Sequence, residues 1–320
     1  MGYTAKFRVW RGDGQDGDLQ DYAVEVNEGE VVLDIIHRIQ ATQAPDLAVR
    51  WNCKAGKCGS CSAEVNGRPR LMCMTRMSTF EETDVITVTP MRTFPVIRDL
   101  VTDVSYNYTK ARMVPSFAPP ADLAPGEYRM AQIDVERSQE FRKCIECFLC
   151  NNTCHAVRDH EDNKSTFSGP RFLMRIAELD MHPLDTVDRR QTAVDDHGLG
   201  YCNITKCCTE VCPEHIHITD NALIPLKERV ADRRYDPLFS IASLFRKEKT
   251  GTRGRQPAPA TPTTTLLGSA LFGKSRSRSP PLTLPIGQRP LKAGGRFSMK
   301  AATPSLWSSE RPARSCRMAS

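Results

Sequence analysis

The sequence lacks the long apolar runs that membrane-spanning proteins need. Hydrophobic residues make up 40% of the 320 residues, which allows a buried core. The longest candidate segment, 31–39, is broken by Asp34, His37 and Arg38. Because a membrane helix needs roughly 18 or more apolar residues in succession, we expect no integral membrane helix.

Signals for export, lipid attachment and nucleotide binding are also missing. The first residues contain no apolar stretch with a cleavage site. Lys6 stands where N-myristoylation needs Ser or Thr, and Cys316 is followed by four residues, which does not fit a prenylation box. We therefore expect a cytosolic chain in which thiols stay reduced. Neither a G-x-G-x-x-G fingerprint nor a P-loop occurs, so we expect no flavin, nucleotide or substrate-converting site.

Acidic residues are nearly absent from the last part of the chain. Residues 250–320 contain twelve basic residues, one acidic residue and nine of the 22 prolines, whereas residues 1–249 carry a net charge of −5. This composition predicts a disordered, basic, Pro- and Ser-rich tail. A tether to nucleic acid or an anionic membrane and an extension foreign to the native protein are the open alternatives. Since the folded part is acidic, we expect no nucleic-acid partner for it.

Cysteine, in contrast, is abundant and clustered. Twelve of the thirteen cysteines fall in three groups of four, within 53–73, 144–154 and 202–212, and Cys316 stands alone. In a reducing compartment such groups indicate metal binding rather than disulfides.

The hydrophobic pattern predicts an α+β chain in three parts. In residues 1–105, alternation predicts strands, and apolar residues at helical spacing predict a helix. These segments suggest a β-grasp domain with its cysteine-rich loop after the helix. The predicted elements are strands at 6–11, 22–26, 61–65 and 85–88, a turn over 12–20 and a helix over 31–42.

Residues 106–249 are expected to form a helical domain, entered through a Pro- and Tyr-rich linker over 106–130. Helices are predicted over 171–181 and 221–233, with Pro225 near the start of the second, where proline is best tolerated. Residues 250–320 are the predicted tail.

The first cysteine group has the spacing of a 2Fe–2S ligand set. Its members are Cys53, Cys58, Cys61 and Cys73. Plant-type ferredoxins use C-x4-C-x2-C and a distant fourth cysteine. Gly56 and Gly59 inside the loop remove side chains, so backbone N–H groups can point at the sulfur atoms. A zinc site, which usually has two C-x2-C pairs, is the alternative.

The second and third groups match the bacterial ferredoxin run C-x2-C-x2-C-x3-C-P, whose fourth cysteine ligates the other cluster. The third run has Thr205 in place of its second cysteine. One complete set then predicts a 4Fe–4S cluster, and the three remaining thiolates predict a 3Fe–4S cluster. The 4Fe–4S set is Cys144, Cys147, Cys150 and Cys212, and the 3Fe–4S set is Cys154, Cys202 and Cys208. Cys207 does not fit this spacing. It is interpreted either as a buried structural thiol or as a fourth ligand that completes the second cluster.

Together these motifs resemble the iron–sulfur subunit of succinate dehydrogenase and fumarate reductase, with actinobacterial members most similar. The segments that carry the resemblance are NCKAGKCGSCSAEVNGRPRLMC (52–73), FPVIRDLVTD (94–103), FRKCIECFLCNNTC (141–154) and YCNITKCCTEVCP (201–213). The likeness covers about residues 4–248. It implies a helical ferredoxin-like domain with two cubane-type clusters behind the β-grasp domain.

The resemblance also implies a function and partners. Electrons would pass from the flavin of an FAD-containing partner subunit through the 2Fe–2S, 4Fe–4S and 3Fe–4S clusters to a quinone. The quinone would lie where this subunit meets its membrane anchor, at the cytoplasmic face of the cell membrane. The chain would act as a subunit of an oxidoreductase of respiration and the tricarboxylic acid cycle.

Some positions depart from the family pattern. Many members have Cys-Pro-Ser and a later Trp after the ligand matching Cys154, where this chain has His155, and a His where it has Asn203. We therefore expect a differently built quinone pocket, with His155, Asn203 and His217 as candidate polar neighbours. Lys54, Lys57 and Arg142 flank cluster ligands, and we expect them to be solvated surface charges.

Two other functions stay open. One is the iron–sulfur subunit of a soluble glycolate-oxidase-like, heterodisulfide-reductase-like or thiol-linked fumarate reductase complex. Thr205 and the N-terminal 2Fe–2S loop speak against it. The other is a zinc-binding interaction protein.

Overall fold

A mixed β-sheet forms the N-terminal part of the computed structural model, which describes residues 2–14, 16–124 and 126–235, with side chains to residue 232. The predicted tail and Cys316 lie outside the described residues. The strands of the sheet are β1 (Tyr3–Gly12), β2 (Gly17–Val26), β3 (Ser62–Val65), β4 (Arg68–Leu71) and β5 (Val85–Thr89). Their order is β2-β1-β5-β3-β4, with β1 and β5 parallel and the other neighbours antiparallel. This order fits the predicted β-grasp arrangement.

Helix α1 (Val32–Thr42) supplies the apolar face that packs into the core of this part. Its buried residues are Val32, Leu33, Ile35, Ile36 and Ile39. At its start, the Val31 backbone N–H donates to the Asp34 carboxylate at 3.3 Å, which satisfies one of the free donors of the first turn. The helix predicted from the apolar spacing is therefore confirmed.

Two sequence-based predictions in this region are wrong. The turn expected over 12–20 is shorter, because β1 continues to Gly12 and β2 begins at Gly17. Backbone pairing does not depend on side-chain propensity alone, and the ladder keeps its register out to the Gly12–Gly17 pair. The linker expected over 106–130 begins instead with helix α2 (Ser105–Met113).

Helix α2 escaped prediction because its buried side chains are polar. Asn107 and Lys110 are 0% and 4% exposed. The Lys110 ammonium donates to the Ser165 carbonyl at 2.9 Å, and the Asn107 carbonyl accepts from the Asn151 amide at 2.9 Å. Without an apolar stripe, the pattern in the sequence gives no sign of a helix.

The rest of the described chain is built from short helices and turns. A small antiparallel pair, β6 (Val96–Arg98) and β7 (Val101–Thr102), precedes them. The α-helices are α3 (Gln132–Ser138), α4 (Leu149–Thr153), α5 (His155–Arg158), α6 (Pro170–Asp180), α7 (Arg189–Asp195), α8 (Cys207–Glu210) and α9 (Ile224–Tyr235). Single 3-10 turns lie at Met72–Met74, Met77–Thr79, Gln139–Lys143, Glu161–Ser165 and Leu199–Tyr201. A π-helical turn, Ile218–Leu223, leads into α9.

The helix predictions for this part hold in outline. Helix α6 occupies the predicted stretch, and its core-facing residues include Phe172, Leu173 and Ile176. The segment predicted as one helix over 221–233 is divided between the π-helical turn and α9. Pro225 lies in the first turn of α9, where its missing N–H has no helical partner to lose. Within the described residues, no helix combines the length and apolar character needed to cross a bilayer.

The two parts share their packing. Phe148, Leu149 and Phe172 belong to the same buried cluster as the sheet and α1. A polar network adjoins this cluster. The Glu64 carboxylate on β3, 1% exposed, accepts from the Arg92 guanidinium at 2.8 Å and from the Asn152 amide of α4 at 2.9 Å. The boundary near residue 105 stays a prediction.

The tightest contact between the two parts involves a glycine. A Cβ placed on Gly59 would lie 2.7 Å from Cys147 Cα and 3.1 Å from Cys147 N, well inside ordinary contact. The Ser62 hydroxyl donates to the Gly59 carbonyl at 2.8 Å and lies 3.1 Å from the Cys147 carbonyl. The loop that carries the first cysteine group therefore rests directly on the loop that carries the second.

We expect Gly59→Ala to destabilise the protein clearly more than the matched substitution Gly56→Ala. Both glycines have a left-handed backbone, with φ of +69° and +67°, so both variants carry a similar strain of about 1–2 kcal/mol. Only Gly59→Ala also forces backbone atoms apart, whereas the Gly56 methyl would meet the flexible Met74 side chain. The added overpacking should cost about 1–3 kcal/mol. Urea unfolding followed by circular dichroism measures the difference, and equal losses would contradict the role of this contact.

Candidate functional site

The first cysteine group lies on one loop and one short turn. Cys53, Cys58 and Cys61 lie in the loop between α1 and β3, and Cys73 lies in the 3-10 turn after β4. Two backbone N–H groups, of Ala55 and Lys57, donate to the Cys53 sulfur at 3.3 Å each, and the Cys53 N–H lies 3.5 Å from the Cys58 sulfur.

Two thiols of the loop, Cys58 and Cys61, have pKa values shifted in opposite directions. Burial raises the pKa of the Cys61 thiol to about 12, and the neighbouring Cys73 thiol adds to the shift. Burial also acts to raise the pKa of Cys58, but hydrogen bonds from Ser60 and from the Cys53 backbone lower it to about 6. Since burial disfavours the charged form, a thiolate at Cys61 needs a positive partner.

The predicted purpose of the two glycines is only partly right. Gly56 lies between the two donating residues and has a left-handed backbone, in agreement with a loop that turns its N–H groups inward. Gly59 serves the close approach to Cys147 instead. That contact joins residues far apart in sequence, so no local pattern could reveal it.

The second and third cysteine runs have the same backbone path. In the second run, the residues two and four after Cys144, which are Glu146 and Phe148, have positive φ of 55° and 60°. In the third run, the residues two and four after Cys202 are Ile204 and Lys206, with φ of 61° and 65°. Each run then enters a short helix, α4 or α8. In this backbone register Thr205 stands at the place of Cys147.

One cavity lies among the residues of the predicted 4Fe–4S set. Its lining includes Cys144, Cys147, Cys150 and Cys212, and the Arg171 side chain also borders it. Burial raises the pKa of Cys147 to about 12 and holds that of Cys150 well above its usual value, with the neighbouring thiols adding to both shifts.

A second cavity lies among the predicted 3Fe–4S set. Its lining includes Cys154, Cys202, Cys208 and Thr205. Burial raises the pKa of Cys154 to about 12, and the Cys208 and Cys202 thiols contribute. The Thr219 hydroxyl lies 3.3 Å from the Cys208 sulfur, a neighbour that the sequence motifs did not indicate. Over the part of the chain that the structure describes, no three His, Cys, Asp or Glu side chains converge on a single-ion site.

Cys207 borders the second cavity and begins α8. It is half-buried, so the expectation of a buried thiol is wrong. It comes directly before Cys208 in the chain and therefore lies off the C-x2-C-x2-C-x3-C spacing that the other cysteines follow.

Two of the three candidate polar neighbours form a pair. The Asn203 amide and His155 Nε2 lie 2.5 Å apart, and Asn203 lines the second cavity. His217 lies elsewhere: its Nδ1 is 2.7 Å from the Glu140 carboxylate, which also accepts from the His217 backbone N–H at 2.8 Å. His217 therefore has a structural partner away from the cavity lining.

The cations that flank the cysteines are exposed, as expected of surface charges, and each lies near an acidic side chain. The Lys57 ammonium lies 2.8 Å from Glu214, two residues after Cys212. Lys54 lies 5.0 Å from the centre of the Trp51 ring and 3.8 Å from Asp34. Arg142 is 3.8 Å from Glu178.

Comparison with known proteins agrees with this geometry. Residues 6–109 match the family described as 2Fe-2S iron-sulfur cluster binding domain, and residues 140–216 match the 4Fe-4S dicluster domain. The succinate dehydrogenase iron-sulfur subunit of Bacillus subtilis is 32% identical over 68% of this chain and 88% of its own length. A chain of the Mycobacterium smegmatis Sdh1 complex in the apo form is 80% identical. The match covers 74% of this chain and all of that one, with a TM-score of 0.73.

The chain belongs to the family of succinate dehydrogenase and fumarate reductase iron–sulfur subunits. Some members are longer. One subunit of the CoM/CoB fumarate reductase of Methanothermobacter marburgensis is 29% identical over 69% of this chain, which spans only 42% of that protein. As a member of the family, the chain contains a 2Fe–2S domain with a sheet and a helical 4Fe–4S dicluster domain.

Proposed function

We propose that this chain is the electron-transfer subunit of a succinate:quinone oxidoreductase, passing electrons between the flavin of a partner subunit and membrane quinone. The observation that carries the proposal is the grouping of eleven cysteines into three sets within one packed unit. The sets are Cys53, Cys58, Cys61 and Cys73; Cys144, Cys147, Cys150 and Cys212; and Cys154, Cys202 and Cys208.

The three sets fit a 2Fe–2S, a 4Fe–4S and a 3Fe–4S cluster in that order. Buried thiols with raised pKa become thiolates readily only beside a cation, which cluster iron supplies. Each of the two cavities is lined by at least three cysteines, which suits two cubane-type clusters. The second cavity is bordered by the three predicted ligands and by Cys207, which lies off register. Thr205 offers a hydroxyl in the place of the fourth ligand, which favours a cluster with three irons.

On this proposal the three sets form a series, and two contacts support it. The first cysteine loop touches Cys147 through Gly59. Cys150 of the second set is close enough to Cys208 of the third for their charges to interact. When bound, the clusters supply one-electron redox centres. The role of this chain's residues is to hold them near one another and away from water.

Exposed apolar side chains mark both ends of the series. Trp51 and Met74, 50% and 58% exposed, flank the first cysteine set. Tyr201 and Ile204, 47% and 38% exposed, flank the third. Exposed apolar side chains at the two ends of the series suit contacts with two partners. These are the FAD-containing subunit at the 2Fe–2S end and the membrane anchor at the 3Fe–4S end. On this proposal the chain attaches peripherally to the cytoplasmic face of the cell membrane.

We infer that the quinone lies beside the His155–Asn203 pair. The two side chains hydrogen-bond to each other next to the third cysteine set, and both belong to the positions where this chain departs from the family pattern. A histidine that is already oriented by an amide can present its ring to a bound quinone oxygen.

The alternative functions are not favoured. Thr205 in the third cysteine run and the match of residues 6–109 to the 2Fe-2S family speak against a soluble complex that carries two 4Fe–4S clusters. A zinc-binding protein fits neither matched family.

Low-temperature electron paramagnetic resonance (EPR) on the purified complex tests the proposal directly. We expect a 3Fe–4S signal in the air-oxidised sample, and 2Fe–2S and 4Fe–4S signals after reduction. Iron and sulfide assays give the cluster content. An EPR-silent oxidised sample with two interacting 4Fe–4S centres after reduction would contradict the assignment and support the soluble-complex function. A colourless protein that contains zinc would contradict both.

Thr205→Cys should convert the 3Fe–4S centre into a 4Fe–4S centre, because it adds a thiolate in the position that Cys147 has in the other run. We expect the oxidised 3Fe–4S signal to disappear and the iron content to rise. Ile204→Cys is the control, since it adds a thiol one residue off register and should leave the 3Fe–4S signal intact. A 3Fe–4S signal that persists in Thr205→Cys would refute the register.

His155→Ala should slow quinone reduction roughly tenfold, the effect of losing one hydrogen bond of about 1.4 kcal/mol. Succinate oxidation with a soluble dye as acceptor should be unchanged, because the dye does not need the quinone site. His217→Ala is the control and should affect neither rate. Equal losses with quinone and dye would place His155 outside the quinone site.

A further inference from the structure

A buried cation lies beside the second cysteine set. The Arg171 side chain, at the start of α6, is 9% exposed and lines the cavity that Cys144, Cys147, Cys150 and Cys212 share. Motif spacing gives no hint of it, because it lies more than twenty residues from Cys144 and Cys147 along the chain. The fold brings it there: its backbone N–H donates to the side-chain amide oxygen of the buried Asn151 in α4 at 3.2 Å.

The protein provides hydrogen-bond partners for only part of this guanidinium. Arg171 Nη2 donates to Glu146 at 2.5 Å, but the Glu146 side chain is 56% exposed. Arg171 Nε is fully buried and has no hydrogen-bond partner. A buried charge with an unpaired donor is costly, and the one surface carboxylate recovers only part of that cost.

A negative group in the cavity would complete the pairing. A cluster ligated by four thiolates carries net negative charge and has sulfur atoms that accept hydrogen bonds. Arg171 is the buried cation that borders this set. The nearby Arg142 contrasts with it, since its side chain is 57% exposed and faces Glu178.

We propose that Arg171 is a tuning residue for the 4Fe–4S cluster, holding a buried positive charge and donating its free Nε–H toward the cluster. This inference rests on the proposed function, because it assumes that the cavity holds that cluster. Reduction adds one electron to the cluster, and a fixed cation in a water-poor site favours the more negative state. Arg171 therefore raises the midpoint potential of this centre above the value that it would have without the buried charge.

An EPR redox titration of the purified complex measures all three midpoints in one sample. In Arg171→Met, which keeps an apolar stem but removes charge and donors, the 4Fe–4S midpoint should fall while the 2Fe–2S and 3Fe–4S midpoints stay constant. Arg142→Ala removes an exposed arginine near the same cysteine and should shift none of them. An unshifted 4Fe–4S midpoint in Arg171→Met, or an equal shift in Arg142→Ala, would overturn the proposal.

Two further variants separate tuning from a structural role. Glu146→Gln removes the carboxylate partner but keeps the cation, so the 4Fe–4S midpoint should stay or rise; a fall like that of Arg171→Met would mean that Arg171 acts only through this ion pair. If Arg171→Met fails to assemble the cluster, assembly in Arg171→Lys supports a need for the charge. Equal failure of both would assign Arg171 to packing and overturn the proposal. A wild-type complex without a 4Fe–4S signal would instead overturn the proposed function.

Discussion

The crowding of cysteine sulfur atoms in small, enclosed spaces is the constraint on which the rest of the structure depends. Eleven cysteines approach one another in three sets, and burial raises the pKa of most thiols in the two cavities. An apolar core would tolerate the buried cysteines as neutral thiols. The structure adds backbone hydrogen-bond donors to sulfur, which a purely apolar core does not need. Backbone N–H groups point at several of the sulfurs, as Ala55 and Lys57 do at Cys53 and Ile216 does at Cys212. Such donors are useful only to an anion.

The backbone adopts the same conformation in both cysteine runs of the helical part. Each run of the helical part places two residues in the left-handed region, two and four positions after its first cysteine, and then starts a short helix. Phe148 and Lys206 hold equivalent positions although their side chains have nothing in common. The left-handed turn disfavours any residue with a Cβ, so its presence at non-glycine positions means that the surrounding contacts enforce it. Thr205, which stands where the other run has a cysteine, thus changes the chemistry of one site without changing its backbone conformation.

Sequence reasoning succeeded where chemistry imposes a spacing and failed where tertiary contact decides. Ligand spacing and apolar periodicity are local properties, and they predicted the 2Fe–2S domain, the 4Fe–4S dicluster domain, four of the strands and α1. The division of the cysteines among three clusters stays a prediction. Helix α2 could not be predicted, since its buried face is formed by Asn107 and Lys110, which find partners far away in the chain. The contact of Gly59 with Cys147 and the burial of Arg171 were hidden for the same reason. Each depends on how the two parts of the chain pack together.

The charged side chains near the cysteines divide into exposed ones and a buried one. Lys57 and Arg142 come next to cluster ligands in sequence, yet each faces a carboxylate, and their side chains are 68% and 57% exposed. Water and the partner charge screen such groups, so they exert little field on a buried centre. Arg171 has a partner too, but that partner lies toward solvent and the guanidinium does not. Because the field of a charge is strongest where water is excluded, one buried arginine outweighs several flanking ones. On the proposed role of Arg171, the burial of a charge affects the potential of the 4Fe–4S centre more than the number of charges near it along the chain.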